Sequence, residues 1–134
     1  MSGKIKRTHA GSIMNSNVVV VNKNKKLEDA AKIMAEKKIG SVIVADESNK
    51  PKGIITESDI IRTLAKNGKG FFDLHAGEVM SKPLVTIIPS MSIEKIEKEM
   101  KRRNVKHLPV VTSGEVVGIV TSKDVVDYLG KWKF

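Results

Sequence analysis

The 134 residues carry 24 Lys and Arg against 15 Asp and Glu, a net charge of +9, with no cysteine and 4% aromatic residues. A chain of this length can bury one sizeable core, and the lack of cysteine excludes a disulfide framework, thiolate metal sites and a thiol nucleophile, in accord with a reducing compartment. The aliphatic runs are too short to span a bilayer and the N-terminus has no apolar core of signal-peptide length, so a soluble, cytoplasmic protein is expected.

Residues 1–6 are basic and polar and are expected to fray. Val18 to Val21 is β-branched, continuous and short, which predicts a buried strand. From Leu27 to Glu36 the apolar positions 27, 30, 31 and 34 share one helical face, with Glu28 and Asp29 in the favourable first turn. Two strands follow, Ser41 to Ala45 and Gly53 to Thr56, joined by the turn formers Asp46 to Pro51. A helix from Glu57 is expected to bury Ile60, Ile61 and Leu64. Asn67-Gly68-Lys69-Gly70 makes a pliable connection, and Phe71 and Phe72 read as core plugs over the joint, a subunit contact being the alternative. The second half predicts a strand at 84–88 and a helix from Ser92, its N-cap, to about Arg103. Strands at 107–111 and 115–120 about the short turn Thr112-Ser113-Gly114 and a last helix to about Leu129 complete it.

The two halves repeat. His9-Ala10-Gly11-Ser12-Ile13-Met14 is answered by His75-Ala76-Gly77-Glu78-Val79-Met80, and Gly53-Ile54-Ile55-Thr56-Glu57-Ser58-Asp59 by Gly118-Ile119-Val120-Thr121-Ser122-Lys123-Asp124. The spacing between equivalent residues drops by one between these two stretches, as a deletion in a turn would do. Each copy ends a glycine-led strand on a threonine and places an aspartate one turn into the next helix. Such a helix start attracts an anion through its unpaired N–H groups and dipole, and an ionised aspartate can accept both hydroxyls of a ribose diol. The same Thr-x-x-Asp spacing also suits a capping box that serves only the helix itself.

Both copies of that element, together with Val79-Met80 and His107-Leu108-Pro109-Val110-Val111, resemble a tandem pair of CBS domains, the Bateman module, over about residues 8–130. The resemblance implies an α/β fold in which each repeat runs strand-helix-strand-strand-helix, with boundaries at 8–66 and 75–130 and a connection at 67–74. It implies a homodimer, and an adenosine-containing ligand such as AMP, ADP, ATP or S-adenosylmethionine that regulates a separate partner, with no obligatory cofactor. On this pattern the second motif offers Thr121, Lys123, Asp124, Lys106, His107, Pro109 and Thr86. The first offers Thr56, Ser58, Asp59, Gly40, Ser41 and Val20. Lys106, His107 and Lys123 would make the second motif the better phosphate site.

No nucleophile elbow, metalloprotease motif or Walker run is present, so no enzyme is expected. His9 and His75 occupy equivalent turns, which favours a structural role over metal binding. The basic clusters at Lys23, Lys25 and Lys26, at Lys37 and Lys38, and at Lys101, Arg102 and Arg103 keep nucleic-acid binding open as an alternative, although two of them fall where a helix C-terminus favours cations. A structural dimerisation unit with unused clefts is the remaining alternative.

Overall fold

The computed structural model describes residues 8–131. The basic stretch 1–6 lies outside them. In chain order the elements are α1 (Ala10–Ile13), β1 (Val20–Asn22), α2 (Leu27–Lys37), β2 (Ser41–Ala45), β3 (Pro51–Thr56) and α3 (Glu57–Asn67). A 3₁₀ turn (Gly68–Asp73) leads to α4 (Ala76–Val79), α5 (Ile93–Arg103), β4 (His107–Thr112), β5 (Glu115–Thr121) and α6 (Ser122–Gly130). The expected α/β pattern holds, and helix and strand limits fall within a few residues of those read from periodicity.

The chain packs as two units that do not coincide with the sequence repeats. One is Val19–Leu84; the other joins the described residues up to Val18 with those from Val85 onward. Each repeat therefore lends its opening turn to the unit built from the other. In the first unit β1 runs parallel to β2, which is antiparallel to β3. Ser81, from the start of the second repeat, bridges Ile54 on β3. Its core gathers Val21, Leu27, Ala30, Met34, Val42, Val44, Ile55, Phe71 and Ala76. In the second unit β4 and β5 form a hairpin, and Asn15 bridges Ile119 as Ser81 bridges Ile54. Its core gathers Ala10, Ile87, Ile93, Ile96, Leu108, Val110, Val120 and Val125.

The glycine that opens each motif follows from this exchange. A Cβ on Gly53 would stand 2.7 Å from Met80 Sδ and 2.7 Å from the Ser81 carbonyl oxygen, and one on Gly118 would stand 2.7 Å from Met14 Cγ. The methionine and the residue after it lie across the strand at that point, leaving no room for a side chain. At the β4–β5 turn, Ser113 and Gly114 both have positive φ (51° and 79°), the conformation that a two-residue hairpin of matching twist requires.

Four expectations are corrected. The strand at 84–88 is reduced to a single bridge between Ile87 and Val110. In the first copy Ile43 N–H donates to the Val19 carbonyl (2.9 Å) and Lys23 N–H to the Ala45 carbonyl (2.8 Å). The equivalent positions hold Pro109 and Pro89, which have no N–H to give, so only Ile87 N–H to the Pro109 carbonyl (2.9 Å) and Val111 N–H to the Ile87 carbonyl (2.8 Å) survive. Val18 to Val21 is not wholly buried either. Its regular part begins at Val20, and as an edge strand it alternates, with Val21 inward and Val20 46% exposed. On α3, Ile61 (69% exposed) and Leu64 (46%) stay at the surface while Ile60 packs against the core. The phenylalanine pair divides: Phe71 is buried, and Phe72 stacks edge-on against it at 5.2 Å while remaining half-exposed.

Candidate functional site

In both copies the strand hands over directly to the helix, and the threonine is its N-cap. Thr56 N–H donates to Asp59 Oδ2 (2.9 Å), and Asp59 N–H donates back to Thr56 Oγ1 (3.3 Å). Thr121 and Asp124 repeat this at 2.9 and 3.1 Å. The next amide of each helix is also tied down, Glu57 N–H to the Gly40 carbonyl (3.1 Å) and Ser122 N–H to the Lys106 carbonyl (3.0 Å). Both capping boxes are thus complete. Among the described residues, the amides of Ser58 and Lys123 are the helix-start donors left without an acceptor, so each motif presents one backbone donor to an anion rather than a cluster.

The aspartates differ in what remains. Asp59 is buried, and its second oxygen accepts from Arg62 Nη1 (3.1 Å), while the Thr56 hydroxyl donates to Oδ2 (3.1 Å). Asp124 commits Oδ2 to its cap, and neither Oδ1 nor the Thr121 hydroxyl proton has a partner among the described residues. The residue three positions after Asp124, where an arginine would reach it, is Asp127. Asp127 accepts instead from Lys123 Nζ (2.7 Å), and this bond first, then the Asp127 charge, raises the Lys123 pKa above its ordinary value. The Lys123 ammonium is therefore engaged along its own helix.

Each set of sequence-derived candidates is brought together within one unit. His107 faces Thr121 in the β4–β5 register, Lys106 is joined to Ser122 through its carbonyl, and exposed Thr86 precedes the Ile87 bridge to β4. Pro109 is fully buried and acts on the site through the backbone. In the first unit buried Ser41 faces Thr56, Gly40 is held by Glu57, and Val20 pairs with Ile43 on the sheet edge. A cavity of about 560 Å³ is lined by Ser12, Ile13, Asp124, Asp127, Tyr128 and Lys131. Lys106, His107, Pro109 and Thr86 are not in its walls. A narrower groove of about 200 Å³ runs between α2 and α3, beside Met34, Ile39, Glu57, Ile60 and Ile61. The sequence reading gave no role to Met14 and Met80, which it saw only as repeat residues, and missed Arg62 and Asp127. For the last two the signal was available, since residues three apart on a helix are neighbours.

His9 and His75 are both N-caps of one-turn helices, α1 and α4. His75 completes a box with Glu78, whose oxygen accepts from the His75 amide (2.9 Å), and this bond, followed by the His75 side chain, lowers the Glu78 pKa. No group of three or more potential ligands suited to a metal occurs among the described residues. The cationic end of α5 is largely matched by its own acids: Lys101 meets Glu97 at 3.4 Å, and Glu99 takes Arg102 at 3.0 Å and Arg103 at 3.4 Å. No helix among the described residues is long and apolar enough to cross a membrane.

A family model described as CBS domain matches residues 10–66 and again 76–131. The CBS domain-containing protein YhcV of Bacillus subtilis is 34% identical over 112 residues, covering 83% of this chain and 78% of its own. Among solved structures, the CBS-domain containing protein ATU1752 of Agrobacterium tumefaciens superposes with a TM-score of 0.83 at 26% identity, over 90% of this chain and 92% of that one. The CBS domain pair of protein MJ0100, solved with 5-methylthioadenosine and S-adenosyl-L-methionine, gives 0.82 at 30% identity over 92% of this chain and all of its own. The chain spans 60%, 34% and 24% of the length of three curated relatives, the last an inosine-5'-monophosphate dehydrogenase of Nitrosopumilus maritimus.

Proposed function

Because the chain belongs to the CBS domain family and carries two copies of that domain, we propose that it is a non-catalytic regulatory module whose second motif binds an adenosine-containing small molecule. The observation that carries this is the state of Asp124. Its Oδ2 is used by the cap, which fixes the carboxylate in place, while Oδ1, the Thr121 hydroxyl proton and the Lys123 amide remain uncommitted within one helical turn. An oriented acceptor beside an oriented donor suits a ribose diol, each hydroxyl of which both gives and takes a proton. Support also comes from the MJ0100 domain pair, which holds two adenosine derivatives. Lys106, exposed and anchored by its carbonyl to the same helix start, is a cation free to meet a ligand phosphate; Lys123 does so only by leaving Asp127. Thr86 and His107 flank the position from the neighbouring backbone. AMP, ADP, ATP and S-adenosylmethionine are the ligands to rank.

The cap and the ligand site make separable demands on Asp124. A ligand that binds only the folded state stabilises it by RT ln(1 + [L]/Kd), so at equal concentration the four compounds can be ordered by thermal shift and their stoichiometry fixed by calorimetry. Asp124→Ala should cost on the order of 1.5–3 kcal/mol of affinity, the range for hydrogen bonds to a charged group. Lys106→Ala should penalise ATP more than AMP. A carboxylate that serves only as a cap would give a less stable Asp124→Ala protein with unchanged affinity. No shift with any of the four at millimolar concentration would refute the proposal.

Self-association fits the same reading. Ile61 on α3 and Val126 on α6 are equivalent in the repeat and are 69% and 66% exposed, so each copy presents an apolar residue on its last helix. A homodimer is the expected assembly, and sedimentation at micromolar concentration reads it directly.

A further inference from the structure

We infer that Arg62 is the residue that makes the two motifs unequal, by occupying in the first copy the carboxylate oxygen that the second copy leaves open to ligand. The inference rests on the ligand-binding reading of Asp124 and extends it to the equivalent Asp59. The two aspartates share a strand end, a cap and an offset in the repeat. What touches their second oxygen is set one turn further on. Three residues after Asp59 stands Arg62, whose Nη1 lies 3.1 Å from Asp59 Oδ1; three residues after Asp124 stands Asp127, which repels that carboxylate and pairs with Lys123. Asp59 also takes the Thr56 hydroxyl proton at 3.1 Å. The first motif thus has its acceptor and its hydroxyl donor both satisfied from within.

The Arg62 side chain is 71% exposed and that of Asp59 11%. The guanidinium can therefore leave into water at small cost, whereas the carboxylate cannot, so Arg62 behaves as a competitor for the diol position and not as a permanent plug. It lowers the affinity of the first motif without abolishing it. Chains with an arginine at one such position and an acid at the other would fill their two sites in sequence as ligand rises.

Calorimetry on the full chain tests this with AMP and S-adenosylmethionine as probes. In an Asp124→Ala background only the first motif retains its aspartate. Adding Arg62→Ala there should tighten its binding by about three- to tenfold, with Arg62→Lys intermediate, because one exposed charged hydrogen bond no longer competes. Conversely, Asp127→Arg in the otherwise native chain should weaken the second motif by a similar factor. Asp127→Asn, which frees Lys123 without supplying a guanidinium, should not weaken it. The ligand-free melting temperature should move by no more than about two degrees with Arg62→Ala, as for other surface changes. Unchanged or weaker binding on removing Arg62, in a protein whose native form does bind these probes, overturns the inference and leaves the ligand-binding reading standing. Absence of binding in the native chain and in the Arg62 variants alike overturns both.

Discussion

Asp59 and Asp124 occupy the same place in the repeat and differ in burial, in the threonine hydroxyl bond and in what touches their second oxygen, which makes the single residue the scale at which ligand preference is decided. The glycines that lead the two motifs are likewise fixed by single neighbours. A methyl group on Gly53 would meet the Ser81 carbonyl at 2.7 Å, a backbone atom that cannot swing aside, while the three atoms nearest one on Gly118 all belong to the Met14 side chain. Gly53→Ala should therefore destabilise by about 1–3 kcal/mol, the range for overpacking, and Gly118→Ala by less. Chemical denaturation of the two variants measures the difference. Combining Gly118→Ala with Met14→Ala should recover part of the Gly118 loss, whereas Met80→Ala should recover little of the Gly53 loss.

At the scale of the element, the two equivalent helices α2 and α5 stop by the same device with unequal residues. Lys38 and Asn104 both adopt the left-handed conformation, with φ of 54° and 52°, and the following amides, of Ile39 and Val105, close on the Met34 and Met100 carbonyls at 3.0 Å. The Cβ crowds the carbonyl in both, but asparagine tolerates that conformation better than lysine because its short polar side chain can hydrogen-bond locally. Lys38→Gly should raise stability by about 0.5–1 kcal/mol, and Asn104→Gly should change it by only a few tenths. Equal gains at both sites would show that the strain is not where the backbone puts it. The lost strand at 84–88 belongs to this scale too. Its side chains fit a strand, but Pro89 and Pro109 remove the donors at either end, and a ladder needs donors as well as suitable side chains.

For the whole molecule, the decisive fact is that each unit is completed by a turn from the other repeat. The His9 to Met14 segment supplies Ala10, Ile13 and Met14 to the core that contains Leu108 and Val120. Its successor Asn15 exchanges backbone hydrogen bonds of 2.9 Å in both directions with Ile119. Deleting residues 1–14 should lower the melting temperature by several degrees, and deleting 1–7 should leave it nearly unchanged. Hydrogen exchange should place the damage on β4 and β5, at Ile119 foremost, and spare Ile43 in the other unit. Equal effects of the two truncations, or faster exchange in β2 and β3 first, would contradict this packing.

The sequence by itself determined the elements other than the strand at 84–88, the duplication and the family, because hydrophobic period, turn formers and capping residues act over a few neighbouring positions. Leu27, Ala30 and Met34 on one face, Ser92 at its cap and Ser113-Gly114 in the hairpin turn were all legible in that way. Thr56, Asp59, Thr121 and Asp124 were legible as helix-start residues for the same reason. What only the tertiary structure decided depends on residues far apart or on a choice between partners. Periodicity says that Ile61 and Leu64 are apolar, not whether anything covers them, and it says nothing of which repeat receives Met14 or Met80. Helical spacing makes Lys123 a neighbour of Asp127 and Arg62 a neighbour of Asp59, but it does not say that these contacts form. A long side chain reaches several positions, and the packed backbone around it selects one.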